Sequence, residues 1–207
     1  MKIRIILVGL LVIAFQAQAG TVDCKDVGDQ LNGLASADQK IRQEWESLNQ
    51  NLKFWTADHD ALQKRWRDID AENLKQVKDI IGACGWPKTK EASHSAWLLA
   101  QHADSDLKFQ RLARGMLETS VKAGIAAPRD LAYLADRIAT NEHRPQEYGT
   151  QFSQPDRCHL VLSEVDDLAL VKQRRLAIGL QSLEDYEAEG RRRLIPADCA
   201  TGERHNQ

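Results

Sequence analysis

Apolar residues recur at a helical period along most of this chain, and the period breaks once. Leu107 to Lys122 carries Phe109, Leu112, Ala113, Met116 and Leu117. The segment opened by Pro128 carries Leu131, Leu134, Ala135 and Ile138. Spacings of three and four residues put each set on one side of an α-helix, and such a stripe must be buried against another element. Val27 to about Ala83 reads as long, charged helix. Within it Asp70 is the expected N-cap of a helix from Ala71 to Ile81, with Leu74, Val77, Ile80 and Ile81 on one side. The G-A-C-G-W-P stretch from Gly82 to Pro87 stops that helix, and a shorter one is expected from about Glu91 to Ala103. Between Gln146 and Val165 the period shortens. Gln146–Phe152 and Cys158–Val165 flank the turn-like S-Q-P-D-R and read as a β-hairpin. Asp166 or Asp167 then caps a helix to about Leu180, and a last helix covers roughly Leu183 to Leu194. The expected fold is mainly α, a single helical domain with one small β-hairpin.

The first twenty residues read as an address. Lys2 and Arg4 precede an unbroken apolar run from Ile5 to Phe15, and Ala17-Gln18-Ala19 supplies the small residues of a cleavage site. That is the pattern of a secretory signal peptide, with an apolar core too short to span a bilayer comfortably. The expected organisation is a signal peptide at 1–19, an N-terminal helical extension at 20–67, a helical core at 68–194 with the hairpin near 146–165, and a tail at 195–207. The mature chain is expected in the periplasm or outside the cell, with no stable membrane insertion after signal cleavage. A balance of 28 Lys+Arg against 30 Asp+Glu creates no basic field, which argues against nucleic acid as a partner.

Four cysteines, Cys24, Cys84, Cys158 and Cys199, read in an exported chain as two disulfides with three possible connectivities. The pairing preferred from sequence is Cys24 with Cys199, tying the termini, and Cys84 with Cys158. No C-x-x-C pair is present, which disfavours zinc and thioredoxin-type chemistry, and neither a metal nor another cofactor is expected. Asp58-His59-Asp60 looks metal-like, but adjacent positions diverge on a helix and no further ligand is evident. Arg191-Arg192-Arg193 reads as a solvated helix end.

Three polar groups stand out. Gln101, His102 and Asp104 end an apolar helix with an amide, an imidazole and a carboxylate, the combination that yields an acid or base near neutral pH. The plainer alternative is that Asp104 or Ser105 caps the next helix while His102 bonds a backbone carbonyl. In Gln146-Glu147-Tyr148-Gly149-Thr150-Gln151, a strand would point Gln146, Tyr148 and Thr150 one way and Gln151 the other. Gly149 would allow close backbone approach, and the alternative is a solvated edge strand. Arg175 follows Leu168 and Val171 and precedes Ile178 on one stripe. A guanidinium there needs a carboxylate, a carbonyl cluster or a bound anion. Asp136-Arg137 shares with Tyr133 the face opposite Leu134 and Ile138. It reads as a surface charge pair, with Asp136 a possible partner of Arg175. G-x-S-x-G, H-E-x-x-H and phosphate-loop motifs do not occur.

In order the motifs are G-W-P at Gly85, W-x-L-x-Q-H-A-D from Trp97 to Asp104, F-Q at Phe109-Gln110 and D-R at Asp136-Arg137. Q-x-Y-G-T-Q from Gln146 to Gln151 and R-R-x-x-x-G-L from Arg174 to Leu180 complete the series. Between Asp68 and Tyr186 the chain resembles a bacterial domain-of-unknown-function family that shares this motif order. The resemblance implies no reaction; it implies that His102, Asp104, Arg137, Gln146, Tyr148, Thr150, Gln151 and Arg175 act together. One expectation is a cell-envelope hydrolase, with His102 as acid/base, Asp104 as its orienting or second carboxylate and Arg175 holding substrate charge. Gln101, Arg137, Gln146, Tyr148, Thr150 and Gln151 would bind the substrate. The competing expectation is a non-catalytic periplasmic binding, inhibitor or immunity-type protein that uses the same surface for a polar small molecule or an envelope protein. A third is a satisfied internal polar network with a purely structural role. A single site requires the tips of His102, of Tyr148 or Gln151, and of Arg175 within about 10 Å of one point.

Overall fold

A computed structural model describes residues 22–51 and 56–201. The expected signal peptide at 1–19 and the end of the tail lie outside these residues. Among the described residues seven α-helices and one hairpin follow in order: α1 (Val27–Asn51), α2 (Ala57–Cys84), α3 (Lys90–Gln101), α4 (Leu107–Lys122), α5 (Pro128–Asn141), β1 (Phe152–Asp156), β2 (His159–Leu162), α6 (Leu168–Ala177) and α7 (Leu183–Leu194). A 3-10 turn, Ala197–Thr201, ends the described chain. The mainly α fold with one small hairpin is therefore observed. No helix among the described residues is long and apolar enough to cross a membrane.

Helix α3 is the hub, in contact with α1, α2, α4 and α5. Its Ala96 and Ala100 are fully buried, and side chains that small let neighbouring helices close around it. Leu31 of α1, Val77 and Ile81 of α2, Phe109 and Leu117 of α4, and Leu134 and Ile138 of α5 complete one core. The C-terminus of α3, where His102 sits, consequently opens at a junction of helices rather than on a free surface.

Several local expectations are corrected. α2 runs unbroken from Ala57 to Cys84, so Asp70 lies in mid-helix and caps nothing. Its carboxylate instead meets Arg42 of α1, an interhelical partner that local patterning does not reveal. Asp58-His59-Asp60 is the start of that helix, where the Thr56 N–H donates to His59 Nδ1 at 3.1 Å. Asp106, rather than Asp104 or Ser105, caps α4 by accepting from the Phe109 N–H at 2.9 Å. α6 ends at Ala177 instead of Leu180, since Gly179 takes φ 71° and turns the chain.

The hairpin is shorter than expected. Phe152 pairs with Leu162, Ser153 with Val161 and Asp156 with His159, so Ser153 to Asp156 is strand and Arg157-Cys158 is the turn. The register slips between Ser153 and Asp156, where Pro155 has no N–H to contribute. Gln146 to Gln151 is loop, tied by one bridge from Gln146 to Val165. The strands lean on α7: β2 contacts α7, and Phe152 stacks on Tyr186 with ring centroids 5.2 Å apart.

The disulfides are Cys24–Cys84 and Cys158–Cys199, not the pairing preferred from sequence. Helices α1 and α2 form an antiparallel pair of nearly equal length, which returns the end of α2 to the start of α1. Cα atoms of Cys24 and Cys84 are thereby 5.6 Å apart. The tail after α7 reaches the hairpin turn, where Arg157 also pairs with Asp198 at 2.8 Å.

Candidate functional site

His102 is the C-cap of α3, and its ring crosses to α1. Nδ1 lies 3.0 Å from Asp38 Oδ1 and 2.9 Å from Oδ2. Asp38 falls on the buried stripe of α1 with Leu31, Ala35 and Ile41, and is 1 % exposed. A carboxylate so placed must be paired. Arg42, one turn further on, grips it through Nε at 3.1 Å and Nη2 at 2.9 Å. The same Nη2 donates to Asp70 Oδ1 at 2.9 Å, and the guanidinium lies 4.6 Å over the Trp66 ring.

Burial alone would raise the Asp38 carboxyl, but hydrogen bonds and charge from His102 and Arg42 outweigh it and hold it at about 2. Arg42 grips Asp38 whichever state the imidazole is in, so Asp38 stays ionised. Burial, helped by the charges of Arg42 and Arg137, lowers the His102 imidazole against the pull of Asp38. A neutral His102 facing an ionised carboxylate must carry its proton on Nδ1, which makes Nε2 the lone-pair nitrogen. Nε2 has no hydrogen-bond partner among the described residues. Asp70 is pushed up to about 6, first by burial and then by the charges of Asp38 and Asp104, against Arg42 and a hydrogen bond from Trp66.

Asp104 lies beside this pair and is held separately. Arg137 grips both its oxygens, with Nε 2.8 Å from Oδ1 and Nη2 on Oδ2. Asn141 adds a 2.9 Å bond to Oδ1. Burial raises Asp104, and the Arg137 hydrogen bonds and charge overcome it, so its carboxyl is lowered. Buried Gln110 donates to Asp104 and to the Ala100 and Gln101 carbonyls, supplying partners that the end of α3 lacks within its own helix. Asp38, not Asp104, is the carboxylate bonded to His102.

The 146–151 loop is a second network. Asp136 is fully buried rather than on the surface, and accepts from the N–H groups of Glu147, Tyr148 and Thr150 and from the Thr150 hydroxyl, at 2.8–3.0 Å. Gln146 is equally buried: its amide donates to the Gln151 and Ser163 carbonyls and accepts from the Gln151 N–H at 2.7 Å. Arg175 finds a carbonyl cluster, donating to Tyr148 at 2.7 Å, Gly149 at 3.2 Å and Gln181 at 2.9 Å. Gly149 takes φ 66°, and a Cβ there would come within 2.9 Å of Leu183 Cδ1. Buried side chains thus satisfy the loop's backbone, as burial of irregular structure requires.

Gln151 joins the two networks. Its amide nitrogen donates to the Thr150 hydroxyl, and its Oε1 lies 3.5 Å from Gln101 Nε2 and 3.4 Å from Arg137 Nη1. Gln101, His102, Asp104, Arg137 and Gln151 are therefore brought together at the end of α3. Gln146, Thr150 and Arg175 lie behind them in the loop's support, and half-buried Tyr148 gives its carbonyl to Arg175. Asp38, Arg42, Asp70 and Trp66 were missed by sequence reasoning. The available signal was Asp38 itself, an acid at a core position of an amphipathic stripe, the anomaly that singles out Arg175. No group of three or more His, Cys, Asp or Glu among the described residues is arranged to hold a metal ion.

No curated protein and no solved structure matches the chain. A family model does match, over residues 25–192, and it takes in α1 and α2 as well as the motif-bearing helices. The chain therefore belongs to a family of unknown function, DUF6624.

Proposed function

We propose that this protein is an exported hydrolase acting on an anionic polar substrate, with His102 as its general base. The observation that carries the reading is the Asp38–His102 pair: a buried, ionised carboxylate fixes the tautomer and direction of an imidazole whose Nε2 has no partner among the described residues. In the reaction Nε2 takes a proton from water as the water oxygen bonds to the electrophilic centre. The electron pair of the breaking bond leaves with the leaving group, which recovers the proton from the imidazolium. Arg42, held on Asp38, and Arg137, held on Asp104, both act on the imidazole through their charge and would hold negative charge on the substrate. Arg175 and the loop behind Gln151 position Arg137 and are not assigned contact with substrate. Two disulfides and the leader pattern at 1–19 support export.

Esters, phosphomonoesters, glycosides and peptide amides offered to the wild type, His102→Ala and Asp38→Asn proteins test the proposal. Turnover of one class, lost in folded His102→Ala, is expected. A recognition role has one observation in its favour, the internally satisfied Asp104–Arg137–Gln151 chain. Ligand binding without turnover of any class would assign that role instead.

A further inference from the structure

Asp38, Arg42, Trp45 and Asn49 follow one another at i, i+4, i+7 and i+11, so they form a single stripe along α1. Trp66 and Asp70 form the facing stripe of α2, with Trp45 and Trp66 edge to face at 5.5 Å. One end of this wall meets His102. The other lines a partly open cavity of about 160 Å³, bordered on its far side by Gln154 of β1 and by Arg193 and Leu194 of α7. Arg42 belongs to both ends: Nε and Nη2 grip Asp38 and Asp70, while Nη1 has no partner among the described residues.

We infer that this cavity is a binding subsite for one acidic sugar ring, a pyranose bearing a carboxylate, in a substrate that extends to His102. The inference rests on the hydrolase reading for the direction of the substrate, and on the cavity alone for the ring. Its volume is near the roughly 150 Å³ that accommodates one six-membered ring and below the ~300 Å³ of larger ligand sites. A pyranose presents an apolar C–H face and a polar edge. Two indoles supply the apolar wall, and Asn49, Gln154 and the Glu46–Arg193 ion pair supply donors and acceptors around it. An aromatic acid of equal size would cover those polar groups without pairing them, which costs affinity. Arg42 lines the cavity with Nε and Nη2 committed to Asp38 and Asp70, which leaves Nη1 as the donor for the ring's carboxylate.

Methyl β-D-glucuronide is the probe, with methyl β-D-glucoside and benzoate as comparisons, followed by saturation-transfer NMR and titration. The measurements use both the wild type and His102→Ala proteins, so that turnover plays no part. The glucuronide is expected to bind both proteins equally, at least ~10-fold more tightly than the glucoside, a difference of about 1.4 kcal/mol. Trp45→Ala and the rim variant Gln154→Ala, each checked for fold by circular dichroism, should weaken it. No transfer to the glucuronide, benzoate binding as tightly, or unchanged affinity in both variants would overturn the subsite. Glucuronide binding with no hydrolysis of any substrate class would retain the subsite and remove the hydrolase.

Discussion

The imidazole of His102 and the carboxylate of Asp38 meet at 2.9 Å although 64 residues separate them in the chain. The contact joins the C-cap of α3 to the core stripe of α1, so the segment expected to be an N-terminal extension supplies half of the candidate dyad. A capped helix end and a helix interior are both rigid, which is the condition for holding a general base in one orientation.

Asp38→Asn should therefore cost more than its conservative chemistry suggests. The amide can donate to His102 and so favours the wrong tautomer, and hydrolytic turnover is expected to fall by about 10²-fold or more. Asp38→Ala should in addition destabilise the protein by roughly 3 kcal/mol, because Arg42 loses its buried partner. Steady-state kinetics and urea unfolding separate the two effects.

Acid should act on this cluster in two opposed ways. Asp38 has its folded-state value lowered to about 2, so its contribution is complete above 3.8 and is lost as the pH falls from there towards 2; about 2 kcal/mol is at stake. Asp70 is raised to about 6, so the folded state binds the extra proton and stability declines as the pH rises from 3.8 to 6. Asp70→Asn should flatten that decline in chemical unfolding followed across the pH range. Ionised Asp70 also adds negative charge near Arg42, so KM for an anionic substrate should rise as the pH passes 6, and the variant should lose that rise.

Gly149→Ala introduces a side chain at φ 66° and a 2.9 Å contact with Leu183. A loss of about 1–3 kcal/mol is expected, which in a chain of this size lowers Tm by several degrees. Differential scanning calorimetry reads it directly.

Arg175→Met leaves the Tyr148, Gly149 and Gln181 carbonyls without their shared donor. Amide hydrogen exchange should accelerate over residues 146–151. If Arg175 acts only by positioning, the change in kcat/KM will follow loop order, and Gln151→Ala will reproduce it with Arg175 intact. An activity loss with no change in exchange would place Arg175 at the substrate instead.

Peptide mapping without reduction should find Cys24 joined to Cys84 and Cys158 joined to Cys199, with no titratable thiol. Loops of 60 and 41 residues are closed, so each bond stabilises by about 4 kcal/mol on the chain-entropy model. Reduction in denaturant should accordingly hinder refolding.

Local order was legible in the residues themselves. Helical periodicity identified α4, and α7 ends where the Leu183–Leu194 pattern ends, because both signals depend only on neighbours three or four positions away. The same local physics marked Arg175 as an internal cation needing a partner, and carbonyls answer that need. Tertiary structure decided every pairing between distant segments. Cys24 found Cys84 because two helices of similar length fold back on each other. Asp70 became an interhelical ligand of Arg42 rather than a cap, and the Q-x-Y-G-T-Q segment became a supported loop rather than a strand because Asp136 and Gln146 satisfy its backbone from within. His102 acquired Asp38 because α3 is enclosed by α1. Periodicity determines which face of a helix is buried, whereas the polar group opposite a given buried residue depends on helix length, crossing and axial register, and those follow only when all the faces pack together.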